Sequence, residues 1–389
     1  MDFHSERVQT LPPYIFSRVY KRKKELEESG MDIIDLGIGA PDLPTPTFVI
    51  DELVKEAYKS SNHRYSPYSG SQEFREAVAH FYEKHYGVTL NPDEEVLTLI
   101  GSKEGIANLI SAVINPTETV MVPDPGYPVY ESAIHLAGGQ TTYLPLEAEK
   151  DFQPNFQQTP KTDYEKSKLL ILNYPNNPTA GTVEVDVFEK AVSLARKYQF
   201  AIAHDAAYDL VTFGDYRAPS LLEVSGAKEI GVEFGSLSKS FNMTGWRIGY
   251  VVGNRDLIQA LSIVKSNTDT SQFLPIQKAG AKALLSDLST VSENNQVYEG
   301  RLDFVMSVLE EMGIHVKRPR GTFFVWAKVP EGWTSMEFSS ELLEKAGVIV
   351  TPGNAFGKSG EGYFRISLSV PNERLNEAMS RMKYLLTND

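Results

Sequence analysis

From residue 96 onward, short apolar runs alternate with helix-patterned stretches, and this alternation restricts the fold more than any other feature of the chain. The runs are Val96–Ile100, Thr119–Pro123, Thr141–Pro145, Leu169–Asn173, Phe200–His204, Val232–Leu237 and Ile248–Gly253. Each is short, rich in Val, Ile, Leu or Phe, and bounded by Gly, Pro, Asn or Asp. Continuous apolar runs of this length suit strands buried on both faces. Helical pattern, such as Val185–Tyr198, separates several of them. The expectation is an α/β fold with a mainly parallel, seven-stranded sheet wrapped by helices.

The last hundred residues lack strict alternation. Val297–Met312 carries Leu302, Val305, Met306, Leu309 and Met312 at helical spacing, and Gly313 ends it. Thr322–Val329 and Tyr363–Val370 read as strands, and Glu373–Leu386 as a final amphipathic helix. This is the pattern of a smaller α+β domain. The expected organisation is an N-terminal arm over 1–45 that joins the small domain, a large α/β domain over 46–285, and the small domain over 286–389. Residues 1–12 are polar and read as loose; Pro12-Pro13 opens a helix that runs to Ser29 and stops at Gly30. Lys21-Arg22-Lys23-Lys24 within it reads as a solvated face.

Composition removes several classes of function. A chain of 389 residues can bury about three quarters of its unfolded surface and needs no staples. It has no cysteine, which excludes disulfides, thiolate metal sites, iron–sulfur clusters and cysteine nucleophiles. The net charge of −13 argues against nucleic acid as a partner. There is no apolar run long enough for a membrane span and no signal-peptide pattern at the N-terminus, so a cytoplasmic protein without a membrane partner is expected. The histidines show no metal-ligand spacing, so no metal is expected.

Open parallel sheets place ligands beyond the carboxyl ends of their strands, which directs attention to the residues after each run. Gly101-Ser102-Lys103 follows the first run and begins a helix, where backbone N–H groups and the helix dipole suit an anion. Asp205 stands at the tip of the fifth run. His204 before it reads as a satisfied buried histidine rather than a catalyst. Lys239 follows the sixth run, where burial lowers an amine's pKa and makes it nucleophilic. Arg365 sits inside an apolar strand pattern and needs an anionic partner, since an unpaired buried charge is costly.

The ordered set Asn177-Pro178-Thr179, Asp205…Tyr208, Ser236-Leu237-Ser238-Lys239, Gly245-Trp246-Arg247-Ile248-Gly249 and Arg365 resembles the class I/II aminotransferases. These are pyridoxal-phosphate (PLP) enzymes of the aspartate aminotransferase fold, the fold type I of PLP-dependent transferases. The likeness runs from about Ile34 to the C-terminus. It implies that Lys239 holds PLP as a Schiff base and moves the proton, that Asp205 faces the pyridine nitrogen, and that Tyr208 and Asn177 bond the phenolic oxygen. It also implies that Tyr127 stacks on the ring, and that Gly101, Ser102, Lys103, Ser236, Ser238 and Arg247 take the phosphate. Arg365 and the Gly39 backbone enclose the substrate carboxylate. Tyr65 matches a tyrosine that crosses to the partner's site in a homodimer. The implied reaction moves an amino group from a dicarboxylic amino acid, LL-diaminopimelate first, to 2-oxoglutarate by a ping-pong mechanism. Methionine, alanine or aspartate as donor, or C–S β-elimination on the same residues, are the alternatives.

Two departures from the family pattern stand out. The usual Asn-Pro-Thr-Gly reads Asn177-Pro178-Thr179-Ala180-Gly181, which implies a different loop shape after Thr179. Lys103 occupies a turn position where many relatives carry a small residue. Gly37-Ile38-Gly39 hints at a dinucleotide fingerprint, but position 42 is Asp rather than the third glycine.

Overall fold

The structure is a computed structural model and describes residues 3–11 and 16–388. A short strand, β1 (Ile34–Asp35), precedes the central sheet. That sheet comprises β2 (Val96–Leu99), β3 (Thr119–Asp124), β4 (Gln140–Glu147), β5 (Gln153–Pro154), β6 (Ser167–Asn173), β7 (Ala201–Asp205), β8 (Gly231–Ser236) and β9 (Gly249–Gly253). Its order is β2-β9-β8-β7-β6-β3-β4-β5. Neighbours from β8 through β4 pair in parallel, while β9 is antiparallel to both β2 and β8. All the expected runs are strands of this sheet, but among the described residues it has eight strands rather than seven. The addition is β5, a polar pair antiparallel to the end of β4, which is too short to leave a periodic signal.

Apolar residues on both faces explain the continuous runs. Leu169 and Ile171 of β6 pack towards helices Ser102–Val113, Val129–Leu136 and Arg255–Ser266. Leu170 and Leu172 pack towards helix Val185–Tyr198 on the other side. Further along that side, Tyr250 and Val252 of β9 meet helices Thr47–Ala57, Gln72–Tyr86 and Leu274–Leu284.

The C-terminal part forms the expected smaller α+β unit. β10 (Phe324–Lys328), β11 (Val348–Ile349), β12 (Thr351–Pro352) and β13 (Tyr363–Ser367) are its strands. The antiparallel order is β10-β13-β12, and β11 pairs in parallel with β1 from the N-terminal segment. Helix Ser289–Glu311 and helix Asn372–Asn388 cover it through Leu302, Val305, Leu309, Leu375 and Met379. The first of these starts at Ser289, earlier than Val297, because its polar first turns carry little apolar periodicity.

Two N-terminal expectations change. Within the stretch read as loose, Glu6–Gln9 forms a helical turn that docks on helix Val129–Leu136, with Arg7 Nη1 donating to Leu136 O at 3.2 Å. The next helix is described over Phe16–Glu28, and its expected start at Pro12-Pro13 lies outside the described residues. Its basic cluster is not simply solvated. Lys23 Nζ donates to Asp35 Oδ2 at 3.0 Å, and Arg22 Nε donates to Glu344 Oε1 at 2.6 Å. These pairs tie the helix to the smaller unit. Among the described residues, no helix is long and apolar enough to cross a membrane.

Packing in the sheet is tight at Gly235. Gly235 of β8 lies opposite Tyr250 of β9, and a Cβ at 235 would fall 2.1 Å from the Tyr250 ring. Gly235→Ala is expected to destabilise the fold by about 1–3 kcal/mol through overpacking. A urea titration checks this: the midpoint should fall with the slope unchanged, and an unmoved midpoint would contradict the crowding.

Candidate active site

Parallel register brings the chemistry to one edge of the sheet. Asn173, Asp205 and Phe234 lie side by side, and Ser236 and Leu99 both pair with Gly249 at the same edge. Beyond these tips lies a cleft of about 370 Å³. It is lined by Ser102, Lys103, Tyr127, Asn177, Asp205, Tyr208, Ser236, Ser238, Lys239 and Arg247 from the sheet side. Gly37 to Ala40, Phe356 and Arg365 line it from the side of the smaller unit.

Lys239 sits in a helical turn, Leu237–Ser240, that starts where β8 ends. Ser236 caps that turn by accepting from Ser238 N at 3.2 Å. Lys239 Nζ donates to Gly39 O at 2.5 Å, which links the two sides of the cleft. Burial, then the positive charges of Arg365 and Arg247, lower its amine from 10.5 to about 8, against an opposing pull from Asp205. An uncharged, nucleophilic amine is thereby accessible near neutral pH.

Asp205 closes β7. Its Oδ2 accepts from Tyr130 OH at 2.7 Å, and its backbone oxygen accepts from Asn173 Nδ2 at 2.8 Å. Its other oxygen, Oδ1, is buried with no hydrogen-bond partner. Burial raises the carboxyl's pKa, partly offset by the Tyr130 hydrogen bond and the neighbouring His204 charge. Burial also raises the Tyr208 phenol, which keeps its hydroxyl as a donor at neutral pH.

The turn at Gly101 is held from several directions. Gly101 has φ +92 and precedes helix Ser102–Val113 without offering a side-chain cap, so the first N–H groups remain for another acceptor. Arg247, itself at φ 55, places its guanidinium against the turn, donating to Ile100 O at 3.3 Å and Thr244 O at 2.9 Å. The positive φ favours glycine at 101, and a Cβ there would lie 2.3 Å from Arg247 Nη2 and push the guanidinium aside.

Arg365 is buried on β13. Nη1 donates to Asn177 Oδ1 at 2.7 Å and Nη2 to Gly37 O at 2.7 Å. Its guanidinium lies 4.1 Å from the Phe324 ring centre and 4.8 Å from that of Phe356. The displaced glycine does not turn Asn177 away. Ala180 takes φ 55, and backbone bonds join Ala180 N to Asn176 O and Asn176 N to Gly181 O, each at 2.9 Å. The loop closes on Asn176 and leaves Asn177 aimed at Arg365.

The structure thus gathers nearly every residue singled out from the sequence. Gly101 stands just behind the lining, against Arg247. Tyr65 is the exception: it is 89% exposed on the surface and does not line the cleft of its own chain. Tyr130, Asn173, Phe356 and Tyr20 line the cleft and escaped the sequence reading. Tyr130, one helical turn after Tyr127, and Asn173, the polar end of the fourth apolar run, had usable signals; Phe356 and Tyr20 had none.

Residues 31–382 match the family described as aminotransferase class I and II. The chain belongs to this family. It is 47% identical to an LL-diaminopimelate aminotransferase of Moorella thermoacetica over 382 residues, 98% of each chain. It superposes on substrate-bound BacF of Bacillus subtilis with a TM-score of 0.95, at 38% identity, covering 99% of this chain and 98% of that one. For the aspartate aminotransferase of Thermotoga maritima the TM-score is 0.90 at 32% identity, covering 99% and 100%. The aminotransferase therefore has the aspartate aminotransferase-like fold, in a family whose members generally depend on PLP.

The lowered amine gives a direct test on the aminotransferase. Trinitrobenzenesulfonate, followed by peptide mapping, should label Lys239 with a rate that rises through a midpoint near pH 8. A midpoint at the ordinary 10.5 would contradict the burial of this amine in solution.

Proposed function

We propose that the protein uses pyridoxal 5'-phosphate at the strand tips to move an amino group from a dicarboxylic amino acid, LL-diaminopimelate first, to 2-oxoglutarate. The observation that carries the cofactor reading is Asp205 Oδ1, a buried acceptor without a partner on the wall of the cleft. Orphaned buried acceptors are rare, and a ring N–H satisfies this one. When bound, the cofactor supplies an electron-poor ring that stabilises negative charge at the substrate α-carbon.

The chain's own groups do the rest. Asp205 would hold the ring N–H through Oδ1, the buried acceptor that has no other hydrogen-bond partner. Tyr208 and Asn177 donate to the phenolic oxygen, and Tyr127 covers the ring face. The N–H groups after Gly101, the hydroxyls of Ser102, Ser236 and Ser238, and the Arg247 guanidinium hold the phosphate. Lys239 Nζ carries the proton at the α-carbon. Arg365 clamps the α-carboxylate with two parallel bonds, the Gly39 backbone closing the other side.

Lys103 bears on the donor. It lines the cleft with no acidic partner among the described residues, while in this reading Arg247 and Arg365 serve the phosphate and the α-carboxylate. A further cation suits either the phosphate or a second carboxylate. The likeness to an LL-diaminopimelate aminotransferase supports the same choice of donor.

A second copy of the chain completes the site in this reading. Tyr65, Tyr58 and Tyr68 are exposed on one segment, next to exposed Phe273, whose ring meets His63 edge-on at 5.3 Å. Large apolar side chains gathered at a surface mark an interface. Light scattering should report a homodimer, and Tyr65→Phe should weaken PLP binding without dissociating it.

The donor experiment adds single amino acids to the PLP-loaded protein without a keto acid. The yellow band should convert to the pyridoxamine form fastest with LL-diaminopimelate, and 2-oxoglutarate should restore it. Pyruvate release from a cysteine conjugate without an acceptor would indicate the lyase instead. Arg365→Ala should raise the donor KM about 10- to 100-fold, the worth of hydrogen bonds to a charged group. An unchanged KM would remove Arg365 from the carboxylate.

A further inference from the structure

His204 is wholly buried, one residue before Asp205 on β7, and both ring nitrogens are engaged. Nδ1 lies 2.7 Å from Glu233 Oε2 on β8, the residue directly opposite in register. Nε2 lies 3.0 Å from Tyr174 O, the first residue beyond β6. The ring therefore ties the middle strand to both neighbours at the level where the site begins.

Glu233 is saturated. Oε1 accepts from Tyr82 OH and Ser220 OH, and Oε2 from Leu221 N, each at 2.7 Å. Burial pushes its carboxyl up, but His204 and the hydroxyl donors more than reverse this, so the group is held below the usual range. The Phe188 ring packs over His204 at 4.7 Å. A charged group this deeply buried is costly, and apolar side chains could fill the same space. The polar pair instead joins β7 and β8 at opposite register positions.

Strand alternation sends His204 to the face opposite Asp205, and His204 does not line the cleft. Asp205 is braced from the other directions by Tyr130 and Asn173. We propose that His204, itself braced by Glu233, is a positioning residue that fixes Asp205 and, through it, the ring nitrogen of the cofactor. This rests on the PLP reading above.

The test compares the wild type with His204→Asn and with Glu233→Gln, which keeps volume while removing charge. Apoprotein of each is titrated with PLP and with its 1-deaza analogue, which has carbon in place of the ring nitrogen. His204→Asn should weaken PLP binding about tenfold and lower kcat at least as much, with donor KM within about twofold of wild type. Glu233→Gln should follow in the same direction and serves as the reading if His204→Asn does not fold. The deaza analogue should bind wild type and variants alike. The proposal is overturned if the folded variants bind PLP as wild type does, if only the melting temperature moves, or if the full loss persists with the deaza analogue. Failure of the wild type itself to bind PLP would overturn the cofactor reading, and this proposal with it.

Discussion

The parallel alignment of β6, β7 and β8 is the constraint on which the cleft depends. Their carboxyl ends reach one edge in register, so Asn173, Asp205 and the start of the Lys239 turn emerge together. Reversal of β9 then brings Arg247 to that edge from the opposite chain direction, beside the Gly101 turn that follows β2. Groups more than a hundred residues apart in the chain thus meet without any long loop. What the helices contribute is burial on both faces, which keeps the strands from sliding past one another.

Electrostatics follow from that convergence. Lys239, Arg247, Arg365 and Lys103 share a cleft with Asp205. Like charges and burial lower the Lys239 amine, while burial raises the Asp205 carboxyl. The two shifts run in opposite directions because burial disfavours the charged form of each group. An excess of cations over anions also favours ligands that bring negative charge on more than one group.

Most of this was legible because buried parallel strands are written as continuous apolar runs, and a polar residue at the end of such a run is conspicuous. Lys239, Asp205 and Asn177 were visible on those grounds and by family likeness. Tyr20 and Phe356 were not, since they reach the cleft from a helix and a loop whose position only the assembled fold decides. β5 was too short for periodicity, and the docking of Arg22 and Lys23 depended on Glu344 and Asp35 far along or outside that helix. The Ala180-Gly181 departure looked disruptive in sequence, yet a single residue at positive φ absorbs it. Tyr65 shows the opposite limit: it stood out in the sequence, yet it lies on the surface away from the cleft of its own chain.

Arg365 gives this cleft a form of exclusion. The guanidinium bridges Asn177 on the β6 loop and the Gly37 carbonyl on the N-terminal segment. A newcomer must offer something better than a neutral amide and a peptide oxygen to take its place there. A carboxylate does, because charge-assisted bonds are about twice as strong as neutral ones. In the proposed reading, an amine without a carboxylate has nothing to exchange for these two partners, so the residue that would hold amino acids would also tell them apart from simple amines.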